Sequence, residues 1–177
     1  MSQYDNSSVN DWSFNTRAIH AGQGVDSDTG ARNQPIYMTT SYVFEDTQNA
    51  HDRFALTNPG PIYTRITNPT QEALENRLAS LEGGVAAVAF ASGMAAEVAA
   101  ITNLASAGDH IVTSPRLYGG TETLFEVTLP RQGIEVSFVD NPDDPESWQA
   151  AVKPNTKAFY GETFGNPIAD VLDIPAV

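Results

Sequence analysis

The sequence predicts an α/β fold wound on a largely parallel sheet. Three observations carry that reading. From Asn68 onward, short apolar runs alternate with helical patterns; a double glycine, Gly83-Gly84, is followed by the continuous apolar run Val85 to Phe90; and the segment Met94 to Leu104 is rich in alanine, as suits a helix packed closely on a sheet.

Each element follows from local chemistry. Asn68 can cap a helix with Pro69 in its first turn and Gln71 placed for a capping box, and Leu74, Leu78 and Leu81 then recur at i, i+4 and i+7. Gly83-Gly84 stops that helix, and Val85 to Phe90 reads as a buried strand. After the small-residue turn Ala91-Ser92-Gly93 comes the alanine-rich helix. His110 to Thr113, Ile134 to Val139 and Lys157 to Tyr160 read as strands; Thr121 to Leu129 and Glu146 to Val152 read as helices. Residues 1–62 show little periodicity and read as an N-terminal arm, irregular to about Pro61. Residues 63–177 read as part of a sheet domain. An irregular stretch of that length invites contact with another subunit, or disorder. Asp173-Ile174-Pro175 resembles the cap and first turn of a further helix, so the chain is expected to be part of a longer protein.

Composition narrows the function classes. The 177 residues, 41% of them hydrophobic, suffice for one domain with a core. The net charge of −13 opposes binding to nucleic acid or to an anionic membrane surface. With no cysteine, thiolate catalysis, disulfides and cysteine-bound zinc have no residues to use, which fits a cytoplasmic location. The polar stretch Met1 to Phe14 is no signal peptide, and no apolar run approaches the ~18 residues of a membrane span. His20, His51 and His110 share no metal-ligand spacing, so no metal site is expected.

Four places could carry chemistry. Ser92, Gly93 and Met94 stand where a strand gives way to a helix, so backbone N–H groups there would face an anion; ordinary packing punctuation accounts for the same residues. Neither a GxGxxG nor a GK[ST] loop is present, which removes support for dinucleotides and Walker-type triphosphates, and Ala91-Ser92-Gly93 is no GxSxG elbow. Tyr63 and Arg65, two apart in an expected extended segment, share a face as a phosphate grip would require, though an exposed tyrosine and a solvated arginine account for them equally. Tyr118 lies in a Leu-Tyr-Gly-Gly-Thr turn beyond a strand's C-terminal end, where ligands bind in open α/β sheets. Glu162 and Asn166, in Glu-Thr-Phe-Gly-Asn-Pro, occupy the same kind of position. Pro167 should hold Asn166 extended; a polar turn is the plain alternative.

Tyr63-Thr64-Arg65, Asn68-Pro69-Thr70, Ser92-Gly93-Met94, Leu117-Tyr118-Gly119-Gly120-Thr121 and Glu162 to Pro167, in that order, resemble the γ-family of pyridoxal 5'-phosphate (PLP) enzymes of Cys/Met metabolism, from about Thr16 to Val177. Gln34 to Tyr37, Tyr42 to Glu45, the approach from His51 to Ile62 and the Thr163-Phe164 pair are similar to its homocysteine-forming sulfhydrylases, which use O-acetylhomoserine and sulfide. Cystathionine synthases or lyases, O-succinylhomoserine sulfhydrylases and a non-catalytic assembly module are the alternatives.

The resemblance implies a fold type I PLP-dependent transferase of which this chain is the arm and the first part of the large domain. It implies a cytoplasmic homo-oligomer, a homotetramer, with sites shared across a dimer. Ser92, Gly93 and Met94 would take the cofactor phosphate, and Tyr63 and Arg65 the phosphate in a neighbouring subunit. Tyr118 would stack on the ring, Asn166 would bond its phenolate oxygen, Glu162 would support that end, and Tyr63 and Tyr118 would be the catalytic groups here. The only lysines, Lys153 and Lys157, do not fall where the family's Schiff-base lysine does. That lysine is expected beyond Val177, and the 177 residues alone are expected to be inactive.

Overall fold

The computed structural model describes residues 9–177; the first eight residues of the expected arm lie outside them. The chain forms two compact units that divide between Ala89 and Phe90.

In the first unit a 3-10 turn, Val9–Asp11, precedes helices α1 (Phe14–His20), α2 (Thr47–Phe54) and α3 (Pro69–Glu82). The expectation of an irregular arm is corrected at α1 and α2. Ser13 caps α1 by accepting from the Thr16 amide, and Asp46 caps α2 by accepting from the Asn49 amide at 2.7 Å. Neither helix buries a residue, so no apolar stripe announces it; their caps do.

α3 has the expected start and stop: the Thr70 amide donates to Asn68 Oδ1 at 2.9 Å, and Gly83 ends the helix at φ +70°. The expected capping box is absent, because Gln71 donates to Glu75 Oε1 at 2.8 Å instead of returning to the cap. Leu74 and Leu78 are exposed, and the buried residue is Ala79. Arg77 donates to the Ala21 carbonyl at 2.8 Å, and a Cβ on Gly22 would lie 2.3 Å from the Ala73 carbonyl oxygen, so α1 and α3 meet through a residue that must be glycine.

The expected strand Val85 to Phe90 is not one. It lies in no ladder among the described residues, Val85 and Val88 are exposed, and the Ala89 amide donates to Glu75 Oε1 at 2.8 Å. Apolar composition makes a strand only where a neighbouring backbone completes its hydrogen bonds.

The second unit holds the parallel sheet: β1 (His110–Thr113), β2 (Glu135–Phe138) and β3 (Thr156–Tyr160) in the order β2-β1-β3. Between them run α4 (Gly93–Leu104), then α5 (Gly119–Thr123), a π-helical stretch Leu124–Thr128 and α6 (Leu129–Arg131) as one helical run, and α7 (Pro145–Ala151). Thr121 to Leu129, expected as one helix, lies within that run, whose middle is underwound into i→i+5 turns.

Every residue of β1 is buried. Its alternating side chains feed two cores: Ile111 packs with Ile101, Leu117, Leu124, Phe125 and Leu129, and Val112 packs with Val139 and Trp148 of α7. The strands are parallel, so the chain leaves β1 and β3 on the same side of the sheet. Among the described residues no helix is long and apolar enough to cross a membrane.

His110, fully buried, pins the other end of the sheet. Its Nδ1 lies 2.8 Å from Thr156 Oγ1 on β3, and its Nε2 lies 2.9 Å from Ser137 Oγ on β2. Thr156 Oγ1 accepts from the Lys153 amide at 2.8 Å, which leaves its own hydrogen for Nδ1. A neutral ring satisfies both contacts, donating at one nitrogen and accepting at the other. Burial pulls the imidazole below its ordinary 6.5, the Lys153 ammonium adds to this, and Glu135 opposes it.

A depressed histidine leaves the unfolded chain binding more protons, so the His110 contribution is complete above pH 6.5 and is lost as pH falls from there through the folded-state value. Urea unfolding from pH 8 to pH 5 should show stability falling in that window, and His110→Gln should flatten the fall. An equal slope in the variant would assign the loss to other groups.

Candidate functional site

Three loops meet at the C-terminal ends of the parallel strands, the edge where open α/β sheets bind ligands. The first is the N-terminus of α4. Ser92 is its cap, the Ala95 amide donating to Ser92 Oγ at 3.2 Å, so the serine hydroxyl hydrogen remains for another acceptor. A Cβ added to Gly93 would meet nothing within 4 Å. The space above the first turn is open, and the helix end carries partial positive charge.

The second loop follows β1 and carries Tyr118, the residue before α5. Its ring lies beside Gly120: a Cβ there would fall 2.6 Å from Tyr118 Cε1 and 3.3 Å from Met94 Sδ. Gly120 therefore lets the ring fold back beside Met94. The ring remains 54% exposed, enough to offer an aromatic face.

The third loop follows β3. Glu162 Oε1 accepts from the Tyr118 amide at 2.8 Å, tying the second and third loops together. Residues beyond it fold as a small hairpin, with Phe164 bridging Val171 and the Leu172 amide donating to the Thr163 carbonyl at 3.2 Å. Asn166 stands exposed at the hairpin turn, before a cis peptide to Pro167, and not in the extended segment expected for it. Met94, Tyr118 and Glu162 thus come together, with Ser92 and Gly93 next to Met94. Asn166 makes no direct bond to them.

Arg116, unremarked in the sequence, braces this edge. Its guanidinium grips Asp143 through two bonds of 2.8 and 2.7 Å and meets Asp170 at 2.6 Å. A Cβ on Gly165 would fall 2.4 Å from Asp170 Oδ1. The hairpin is thereby tied to the segment two residues before Tyr118. Asp143 raises the guanidinium pKa further, and the guanidinium holds Asp143 below the usual carboxylate range.

Tyr63 and Arg65 belong to the first unit. The expected extended segment is a turn: Tyr63 bridges Ser41, and the Ile66 and Thr67 amides donate to the Tyr63 carbonyl at 2.8 and 3.0 Å. The two side chains still meet, Arg65 Cζ lying 5.6 Å from the centre of the Tyr63 ring.

Both lysines sit at the opposite edge of the sheet. Lys157 pairs with Asp109 at 3.5 Å and Lys153 with Glu135 at 3.2 Å, on the side where the strands begin. Three residues of strand, about 10 Å, separate Lys157 from Tyr160. No cluster of metal-ligating side chains occurs among the described residues.

Residues 15–177 match the family model of the Cys/Met metabolism PLP-dependent enzymes. The chain belongs to that family. It is 71% identical over all 177 residues to the O-acetyl-L-homoserine sulfhydrylase of Corynebacterium glutamicum, covering 40% of that protein. It is 50% identical over 164 residues to the homocysteine synthase of Schizosaccharomyces pombe, covering 93% of this chain and 38% of that one. A Campylobacter jejuni structure solved as an O-acetylhomoserine (thiol)-lyase, carrying a pyridoxyl-lysine monophosphate, superposes with a TM-score of 0.84 at 41% identity, over 92% of this chain and 40% of that one. The chain thus spans about two fifths of the length of these relatives.

The residues present fit the family's cofactor, a phosphate dianion on a flat ring. The open space over Gly93, free amides at a helix start and an exposed tyrosine face beside Met94 are the donors and the surface such a molecule needs.

Proposed function

We propose that this chain is the N-terminal part of a PLP-dependent sulfhydrylase that converts O-acetylhomoserine and sulfide to homocysteine and acetate. The observation that carries the site is the meeting of the capped, open N-terminus of α4 with the Tyr118 ring and Glu162 at one edge of the sheet. Support for the substrate is the 71% identity to a protein named for that reaction.

When bound, the cofactor supplies an electron sink for charge developing on the amino-acid substrate. The chain's own residues bind and orient. The Gly93 and Met94 amides and the Ser92 hydroxyl take the phosphate. Tyr118 covers one ring face and acts as a catalytic residue, Glu162 fixes Tyr118 by accepting its amide hydrogen, and the Asn166 amide donates to the ring's phenolate oxygen. Tyr63, the other catalytic tyrosine, and Arg65 serve the phosphate in a second subunit, so that sites are shared across a dimer within a cytoplasmic homotetramer. The Schiff-base lysine is neither Lys153 nor Lys157, both of which are engaged at the far edge of the sheet. Net charge −13 supports small-molecule partners over nucleic acid or anionic membrane.

Gly93→Leu tests the phosphate site without burdening the fold, because the added side chain enters space the protein leaves open. In the whole protein it should weaken PLP binding at least about tenfold, the scale of losing charge-assisted hydrogen bonds, with unfolding of the cofactor-free protein unchanged. Unchanged PLP affinity would remove the phosphate from this turn.

Subunit mixing tests Tyr63 and Arg65. Arg65→Ala protein exchanged with a variant lacking the Schiff-base lysine should regain about a quarter of wild-type activity, because half of random dimers are hybrids with one intact site of two. No recovery, with exchange verified by mass-tagged subunits, would place Arg65 in its own subunit's site or outside any site.

A further inference from the structure

Glu97 is the one charged side chain within the helix Gly93–Leu104. It stands one turn from Met94 on the same helix face, half-buried, beneath the loops that carry Tyr118 and Glu162. Thr121, fully buried in the first turn of α5, donates to its carboxylate, with Oγ1 at 3.0 and 3.2 Å from the two oxygens and 3.9 Å from Met94 Sδ. The Tyr160 phenol, at the end of β3, feels the Glu97 charge, and the Tyr160 ring lies against Phe125 at 4.6 Å between centres. Among the described residues no lysine, arginine or histidine pairs with Glu97.

A half-buried carboxylate held by the Thr121 hydroxyl is an expensive way to join elements that apolar contact already packs. Its geometry does something apolar packing does not. It bonds α4, four residues from Gly93, to α5, three residues after Tyr118, beside the end of β3 two residues before Glu162.

We propose that Glu97 is a positioning residue, which through its bond to Thr121, and beside Tyr160, sets the Tyr118 ring and Glu162 in register with the α4 N-terminus. The inference rests on the PLP site proposed above. Burial, with the Glu97 and Glu162 carboxylates nearby, pushes the Tyr160 phenol up to about 12, so it stays protonated beside Glu97.

The test uses the whole holoprotein and compares Glu97→Gln, Thr121→Val, Tyr160→Phe and the Glu97→Gln/Thr121→Val pair. The readouts are PLP affinity, visible circular dichroism per bound PLP, which reports how the ring is seated, and unfolding temperature. Each single change should weaken PLP binding by about tenfold, the usual cost of a hydrogen bond to a charged group, and cut the visible band by about half or more. The pair should be no worse than the stronger single, because both remove one interaction. Should Glu97→Gln fail to fold, Thr121→Val and Tyr160→Phe carry the same expectation. Variants that lose stability yet keep the wild-type band per bound PLP, or a pair whose effects multiply, would overturn the role of Glu97 alone. Wild-type protein that binds no PLP would overturn the site reading and this inference with it.

Discussion

The strand β1 is the constraint on which the rest of the second unit depends. Both its edges are hydrogen-bonded, to β2 and to β3, and both its faces are covered, so nothing about its place is negotiable. Because its neighbours run parallel to it, the loops after β1 and β3 emerge together, and the helix run that begins after Tyr118 packs beside α4. A site built of backbone amides, a ring and a carboxylate needs parts held to a fraction of an ångström. A central strand with no free edge supplies that frame.

Polar groups then divide the two edges of the sheet by task. At the starting edge His110, neutral and bonded on both sides, pins the three strands, and the two lysines are spent on Asp109 and Glu135. At the finishing edge the polar groups hold loops: Arg116 ties the hairpin to the segment before Tyr118, Glu162 takes the Tyr118 amide, and Glu97 takes the Thr121 hydroxyl. Open space remains over Gly93 and over the Tyr118 ring, the two surfaces a phosphorylated aromatic ligand would cover.

The sequence made the second unit legible because its elements are locally consistent. β1 occupies the residues its apolar run indicated, and β2 and β3 fall within a residue of theirs, each bounded by turn-forming residues. α1 and α2 bury nothing, so periodicity was silent and only Ser13 and Asp46 marked them. Val85 to Phe90 looked like a buried strand because composition reports apolarity, whereas a strand also needs a partner backbone. Tyr63 and Arg65 meet as their spacing suggested, but through a turn. Arg116, Thr121 and Tyr160 were invisible because their meaning lies in contacts distant in sequence. Glu97 did leave a signal: a lone carboxylate amid alanines, three residues after Met94.

The proposed site holds the cofactor at the finishing edge of the sheet, away from both lysines of this chain. The most direct test is to reduce the PLP-loaded whole protein with borohydride, digest it and locate the pyridoxyl group by peptide mass spectrometry. One stoichiometric label on a lysine other than Lys153 and Lys157 is the predicted result. A stoichiometric label on Lys157 or Lys153 would put the chemistry at the starting edge and contradict the account.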